Sequence, residues 1–478
     1  MQPVAKHTAI SLLACLTLVA KPCWLLRESK QDMSPSLGRP GSEVGGWTQQ
    51  YGDQSSTSYT EYVDNGQFKP GWNYTTKNFV SQTSPCVNEF GVLYYPLRAN
   101  VIAIAPNGSM IWECGVSPNG NSYLTNTLYS KPHNYVIVGS TWVQQNTFFQ
   151  FVAINATDGE VVWTKMFNEL YHPTTISLSI ETDCVFVAGY DKSSFAAVKI
   201  TNGEIMWEKK NIYQVGIFMQ LKVGNIMQPL TDAINDIPKK QTLNSSTKQF
   251  SSAPKLLSLN QTDAALNGEV VLLSTDPWDG FEGKGRLYAY DTAAQGPLPF
   301  PHLQWYTDLG FTAGALFAFS SVGILYGSNS GSEGSKGALF LVNLTTGGLL
   351  YNDDGWCDRG AGGLSGPVVD QQGCVYFSCG NQMFSLTPSG SLRWQSEKFG
   401  NSSLGSVTPP SIHPDGHTYF IHQNGTVVYR LMTRDGSLDK TYSVPKLEYF
   451  EPPILVGSMF MYLIGFEGSA VSIVPIEL

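Results

Sequence analysis

The sequence predicts an all-β fold, an eight-bladed β-propeller with four-stranded antiparallel blades. Three observations predict it: one strand–turn–strand pattern recurs along the chain, the composition suits short strands and tight turns, and the two chain ends each carry part of one further repeat. In the recurring pattern a short apolar strand enters a turn of Asn, Asp or Thr with Gly, and the next strand ends in an aromatic residue. Val101–Trp112 reads VIAIAPNGSMIW, Val152–Trp163 reads VAINATDGEVVW and Val198–Trp207 reads VKITNGEIMW. A stretched copy runs from Leu287 to Trp305, and Leu341–Tyr351, Phe384–Trp394 and Val428–Tyr442 continue the series.

Alternation along each strand turns one face toward a neighbouring sheet. Asn-Gly or Asp-Gly provides the positive φ of a tight hairpin, and the closing aromatic offers a large flat surface for packing between sheets. Each copy follows another strand pair, such as the one opened by Cys184-Val-Phe-Val-Ala-Gly or by Cys374-Val-Tyr-Phe-Ser-Cys, which makes four strands per repeat. The marks Trp112, Trp163, Trp207, Trp305, Tyr351, Trp394 and Tyr442 lie 43 to 51 residues apart, with one step of 98. Such steps fit a four-stranded blade. The long step implies an insertion at 224–253, polar and without strand alternation, with a short helix around Leu230–Asp236. Trp72 is an eighth mark, the end of an isolated final strand. The chain end, 453–475, has strands but no closing Trp, so N- and C-terminal strands are expected to share a blade and close the ring.

The chain has 478 residues, 42% hydrophobic and 14% charged, with 47 Gly and 12% aromatics. That affords a large core and excludes global disorder. The net charge is −9 and Lys and Arg form no cluster, which excludes nucleic acid as a partner. Residues 1–20 read as a secretory signal: Lys6 and His7, an apolar stretch Thr8–Ala20, then Lys21-Pro22. The stretch is too short to span a bilayer. A signal-anchor running on to Leu26 and a lipoprotein cleavage at Cys15 are the competing readings. Residues 21–45 read as a linker and 46–478 as the propeller, in a secreted or secretory-lumen protein with no transmembrane span once the signal is removed. Eight N-x-[ST] sequons, at Asn73, Asn107, Asn155, Asn244, Asn260, Asn343, Asn401 and Asn424, fit that route as glycosylation sites. Asn73 falls in an expected strand. Cys86, Cys114, Cys184, Cys357, Cys374 and Cys379 allow disulfides whose pairing the sequence does not choose; buried thiols are the other reading, for Cys184 above all.

These repeats resemble the pyrroloquinoline-quinone (PQQ) repeat family, the quinoprotein alcohol dehydrogenase-like superfamily, from about Trp47 to the C-terminus. Trp47-Thr-Gln-Gln-Tyr-Gly-Asp53 and Phe68-Lys-Pro-Gly-Trp72 are similar to the family's opening pattern. The resemblance implies eight blades; the family holds both enzymes and scaffolds. In the dehydrogenases a quinone and Ca²⁺ lie at the ring centre and an Asp takes the alcohol proton. Ser274-Thr-Asp276-Pro-Trp278-Asp-Gly is similar to the run that carries their Asn ligand to Ca²⁺. Departures accompany it: no Cys-Cys, no C-x-x-C-H haem site, and Tyr306-Thr-Asp308 where the catalytic stretch is expected. Asp308 is the catalytic candidate that remains.

Asp276, Asp279 and Glu282 share one loop and have the oxygen donors a Ca²⁺ takes; a solvated turn is the alternative. The acidic loop 352–358 lacks EF-hand spacing. His413 and His417 flank the turn Pro414-Asp415-Gly416, and the following strand carries His422 away from them. The reading is a secreted propeller that serves as a binding or scaffold module for an unidentified protein or glycan partner and needs no cofactor. The alternative is a dehydrogenase of alcohols or sugars that uses PQQ and calcium.

Overall fold

The computed structural model of the protein describes residues 59–60, 62–63, 66–76, 84–117, 122–143, 147–167, 173–179, 183–189, 193–212, 218–223, 268–275, 286–291, 302–308, 317–319, 324–329, 338–344, 346–353, 364–370, 372–379, 381–388, 390–399, 408–421, 426–445, 449–450, 453–467 and 470–478. They contain strands and turns and no helix. Seven four-stranded antiparallel sheets follow one another along the chain, within 86–115, 122–167, 173–212, 218–308, 317–353, 368–395 and 411–443. They are numbered here sheets 1 to 7. In each, the strands lie side by side in chain order, as short turns between antiparallel neighbours require. The long 98-residue step falls inside sheet 4: its first strand, Phe218–Val223, pairs directly with its second, Gly268–Thr275. The connection between them therefore runs over 224–267. The helix expected near Leu230–Asp236 lies outside the described residues.

The last sheet is assembled from both ends of the chain. The strands Phe460–Glu467 and Ala470–Glu477 form its hairpin, and Tyr74–Thr76 pairs antiparallel with the second of them through Tyr74↔Ile473 and Thr76↔Val471. A strand the sequence did not announce, Tyr59–Thr60, pairs parallel with Ile454–Val456 at the opposite edge. One N-terminal segment thus supplies both edges of this sheet. Between the two edges Phe68 stacks on Phe460 at 4.3 Å and Tyr62 meets the same ring edge-on at 5.5 Å.

First strands pack against first strands across the junctions of sheets 1–2, 2–3, 3–4, 5–6 and 6–7, and Ser411–His413 packs against Ile454–Val456 of the last sheet. Fourth strands lie at the outer edges and are the more exposed, as in Val161–Phe167 and Leu438–Ser443. The apolar core is continuous from the last sheet through sheet 1 into sheet 2, around Phe460, Tyr462, Tyr95, Ile102 and Val138. Between sheets 2 and 3 a side chain substitutes for a strand ladder. Asn126, buried, donates from Nδ2 to the Ile176 carbonyl at 3.2 Å, and its Oδ1 accepts the Ile176 N–H at 3.1 Å.

Candidate functional site

Antiparallel connectivity sorts the connections to two ends. Turns between strands 1–2 and 3–4 share one end of every sheet; turns 2–3 and the links between sheets share the other. The first end is tied together by the repeat aromatics. Five indoles each donate their Nε1–H to a carbonyl in the 3–4 turn of the next sheet: Trp72 to Pro106 (2.9 Å), Trp112 to Ala156 (3.0 Å), Trp163 to Ile200 (2.7 Å), Trp305 to Leu344 (2.7 Å) and Trp394 to Thr433 (2.8 Å). The ring then lies flat on the left-handed glycine of that turn. A Cβ on Gly159, Gly203, Gly347 or Gly436 meets indole carbons at 2.8, 2.7, 2.6 and 2.5 Å, and Gly108 is covered by Trp72 in the same way. These glycines have φ between 70° and 84°. Each therefore serves twice, by adopting a backbone that disfavours side chains and by leaving room for the ring. Trp207 is buried against Phe186 at 5.9 Å. Tyr351 lies opposite Leu341 in sheet 5. Tyr442 is buried and its hydroxyl receives the Arg430 Nη1–H at 3.2 Å.

Charged groups at this end also bridge neighbouring sheets. His133 of sheet 2 places Nε2 2.6 Å from Asp183 of sheet 3, a non-glycine residue with φ of 52°. Lys131 lies 3.6 Å from Glu89 of sheet 1. Around Glu89, Asn88 donates to the Tyr94 hydroxyl at 3.0 Å, and Tyr94 stacks between Trp112 and Tyr129. Burial pushes the Tyr94 and Tyr129 hydroxyls well above the ordinary tyrosine value, with Tyr129 raised further by the Glu89 charge. In sheet 7, the Asp415 Oδ1 lies 2.7 Å from His413 Nδ1 and 2.8 Å from His417 Nδ1. His413 Nε2 reaches 3.0 Å across to the Gly457 carbonyl of the last sheet. The sequence placed these histidines only as flanks of one turn; a shared carboxylate is visible only once the turn is folded. Among the described residues, no group of three or more His, Cys, Asp or Glu side chains is arranged to hold a metal ion. His422 lies outside them.

The opposite end carries the candidates taken from the dehydrogenase resemblance. Asp276, Asp279 and Glu282 lie outside the described residues, in the 2–3 connection of sheet 4. Asp308 is described. It closes the fourth strand, His302–Asp308, in register with Arg286, which is itself in register with Thr275. The topology therefore brings Asp308 and the 276–285 connection to the same end of the same sheet. Asp308 is exposed and lies on the fourth, edge strand of sheet 4.

Asn107 sits in the 3–4 turn of sheet 1 and Asn155 ends the strand that enters the 3–4 turn of sheet 2; their Oδ1 atoms accept the Ser109 and Thr157 N–H at 2.9 Å each. Asn343, in the equivalent turn of sheet 5, is only 4% exposed and its Oδ1 accepts the Thr346 N–H. Asn73 precedes the strand Tyr74–Thr76 instead of lying within it, and is exposed. This corrects the expected strand position: Trp72 is docked on the turn of sheet 1, and pairing starts only beyond it. Asn244, Asn260, Asn401 and Asn424 lie outside the described residues, the first two in the 224–267 connection. Of the cysteines, Cys86 and Cys374 are free thiols, so the six do not all pair. Burial pushes the Cys86 thiol up to about 12.

Residues 97–228 match a family model described as PQQ_2, outer membrane protein assembly factor BamB. A comparison with curated proteins finds no significant match. Among solved structures, the quinohemoprotein alcohol dehydrogenase of Comamonas testosteroni superposes with a TM-score of 0.53 at 13% identity, over 90% of this chain and 80% of that one. The computationally designed Ika8 protein gives 0.51 at 10% identity, over 80% and 93%. BamB from Moraxella catarrhalis gives 0.44 at 15% identity, over 80% and 95%. The chain is an all-β protein of the β-propeller kind whose repeats match the pyrroloquinoline-quinone-repeat family over residues 97–228.

Proposed function

We propose that this chain is a non-enzymatic scaffold of the secretory pathway or the cell exterior. Its eight sheets are the blades of one ring, closed by the shared last sheet, and loops at the ring's ends hold a protein partner. The eight-blade reading is supported by an unbroken series of inter-sheet contacts, from Trp72 on the turn of sheet 1 through to His413 on Gly457 of the last sheet. The scaffold reading rests on one observation: the indole–turn docking recurs in five copies, while the described catalytic candidate, Asp308, lies exposed at the periphery. The matched family model is named for an assembly factor, which is the same class of role. N-glycans on exposed sequons such as Asn73 and disulfide bonds among the cysteines, as an oxidising compartment permits, belong to the same proposal, as do a glycan partner and freedom from cofactor.

A second reading, a PQQ- and calcium-dependent dehydrogenase, is favoured by the shared position of Asp308 and the Asp276–Glu282 connection at one end of sheet 4. Titration of the glycosylated full-length chain with pyrroloquinoline quinone and Ca²⁺, followed by dye-linked alcohol oxidation, separates the two. No saturable binding supports the scaffold. Binding with turnover that is lost in Asp276→Ala overturns it.

A further inference from the structure

The outermost strands differ in how they meet solvent. Among the described residues Val161–Phe167 pairs only with Thr147–Asn155, so alternate N–H and C=O groups along its other side point away from sheet 2. Other outer strands are guarded as edges usually are. Ile205–Ile212 carries Glu208, Lys209 and Lys210, and Leu438–Ser443 carries Asp439 and Lys440. His302–Asp308 has an ionisable residue at each end, and Tyr74–Thr76 is three residues long. Val161–Phe167 has Lys165 as its one charge in seven residues, and Val161, Val162 and Met166 are 40, 41 and 49% exposed. The bulge at its start recurs where third and fourth strands pair in all seven sheets, and does not set it apart.

The strand is complementary to itself. Trp163 docks on the turn of sheet 3 and Phe167 is buried in the core shared with that sheet. Alternation therefore puts Val162, Thr164 and Met166 on the opposite face, where all three are exposed. An antiparallel pair of identical strands has a two-fold axis. The register centred on Thr164 sets Val162 opposite Met166, Trp163 opposite Lys165 and Thr164 opposite its own copy. Each exposed apolar side chain then meets an apolar one, and the lysine meets an aromatic ring in place of another lysine. Centring on Lys165 sets like charges against each other, and centring on Trp163 sets Met166 against Glu160, outside the strand. We propose that Val161–Phe167 is a homodimer seam, through which two copies of the chain join sheet 2 to sheet 2 in one continuous antiparallel sheet. The occupant is a second copy because the strand's single charge and its exposed apolar side chains find their complements in the strand's own sequence. The two-fold leaves neither seam strand with an open edge, so assembly through it stops at two. The seam is one strand long, which makes the dimer weak and in equilibrium with monomer.

The test is sedimentation velocity of the glycosylated full-length chain over a concentration series. The unaltered chain is expected to pass from monomer to dimer as concentration rises. Val162→Glu and Met166→Lys lie at exposed positions and should leave thermal unfolding unaltered. Each is expected to raise the dimer dissociation constant about tenfold, because it occurs twice across the two-fold and removes two cross-strand pairs. Both substitutions in one chain set the two new charges opposite each other across the seam, and most of the dimer is expected to return. Within one strand, positions 162 and 166 are about 13 Å apart, so a contact inside the monomer does not produce such a rescue. A chain that stays monomeric throughout overturns the proposal. So does a dimer that ignores both single variants, or one that the double variant fails to restore. The scaffold and dehydrogenase readings stand or fall separately, since no partner, quinone or Ca²⁺ enters the experiment.

Discussion

Trp394 and Gly436 should be energetically coupled, and a double-mutant cycle measures the coupling. Gly436 has φ of 73°, and a Cβ placed there lies 2.5 Å from the Trp394 Cε3. Gly436→Ala therefore incurs two costs. The left-handed backbone costs about 1–2 kcal/mol for a residue with a side chain, and pushing the indole off the turn adds roughly 1–3 kcal/mol of overpacking. The displaced ring also strains its 2.8 Å hydrogen bond to the Thr433 carbonyl, worth about 1 kcal/mol net. Trp394→Ala alone costs about 3–5 kcal/mol as a buried aromatic truncation. In the double variant the clash is gone, and Gly436→Ala then costs only its backbone share. The sum of the single effects should exceed the double by about 1–3 kcal/mol, the range typical of touching residues. Urea unfolding followed by circular dichroism reads all four corners. Additivity within about 0.5 kcal/mol refutes the docking account, because the glycine would then be needed for its turn alone.

Asn126→Leu removes the paired contacts to Ile176 and leaves a buried N–H and carbonyl bare between sheets 2 and 3; a loss of about 2–5 kcal/mol is expected in the same unfolding assay. Asp415 has a folded value below its unfolded one, so the stability it adds is complete above the unfolded value and disappears as pH falls through the folded one. Asp415→Asn should therefore flatten the acid limb of a pH–stability curve below about pH 4. Cys86 is fully buried with its thiol pushed up to about 12, so iodoacetamide should leave it unmodified in the native chain and alkylate it after denaturation. Peptide mass spectrometry separates it from the half-buried Cys374.

The repeat was legible because its constraints are local. An Asn-Gly, Asp-Gly or Ser-Gly followed by a strand closing in Trp fixes a turn and a side chain within about twelve residues, and Trp112, Trp163 and Trp394 all dock in the same way. What the indole touches was not legible. Its acceptor lies 37 to 44 residues further on for Trp112, Trp163, Trp305 and Trp394, in another sheet, and nothing near the Trp names it. The same holds for the parallel strand Tyr59–Thr60, two residues long and without alternation, whose pairing with Leu455 and Val456 depends on contact between the chain ends. Asn126 reads as an ordinary polar residue in a strand; its role depends on the neighbouring backbone at Ile176. Asp308 stands out by its place in a motif, and a motif position does not state which strand of a sheet carries the residue; the structure puts it on the fourth strand of sheet 4, while Asp276, Asp279 and Glu282 lie outside the described residues.

The two ends of the sheets are built for different tasks. At the docking end, each 3–4 turn that receives an indole is held by a neighbour's hydrogen bond and covered by its ring, so movement there disturbs two sheets at once. At the opposite end the links between sheets and the 2–3 turns carry no such repeated contact among the described residues, and their sequences differ in charge, from the acidic 276–285 to the Ser- and Gly-rich 330–337. Recognition is best carried by segments that can change without loosening the frame. Under the proposed scaffold function, that argument assigns a partner to the end opposite the indoles and leaves Asn107 and Asn155, on the docked turns, to face away from it. The prediction is that a glycan added at 330–337 blocks the partner, while removal of the sequons at Asn107 and Asn155 leaves binding unchanged. Loss of binding on removing those two sequons, measured on a chain whose unfolding is unaltered, would place the partner on the docked face.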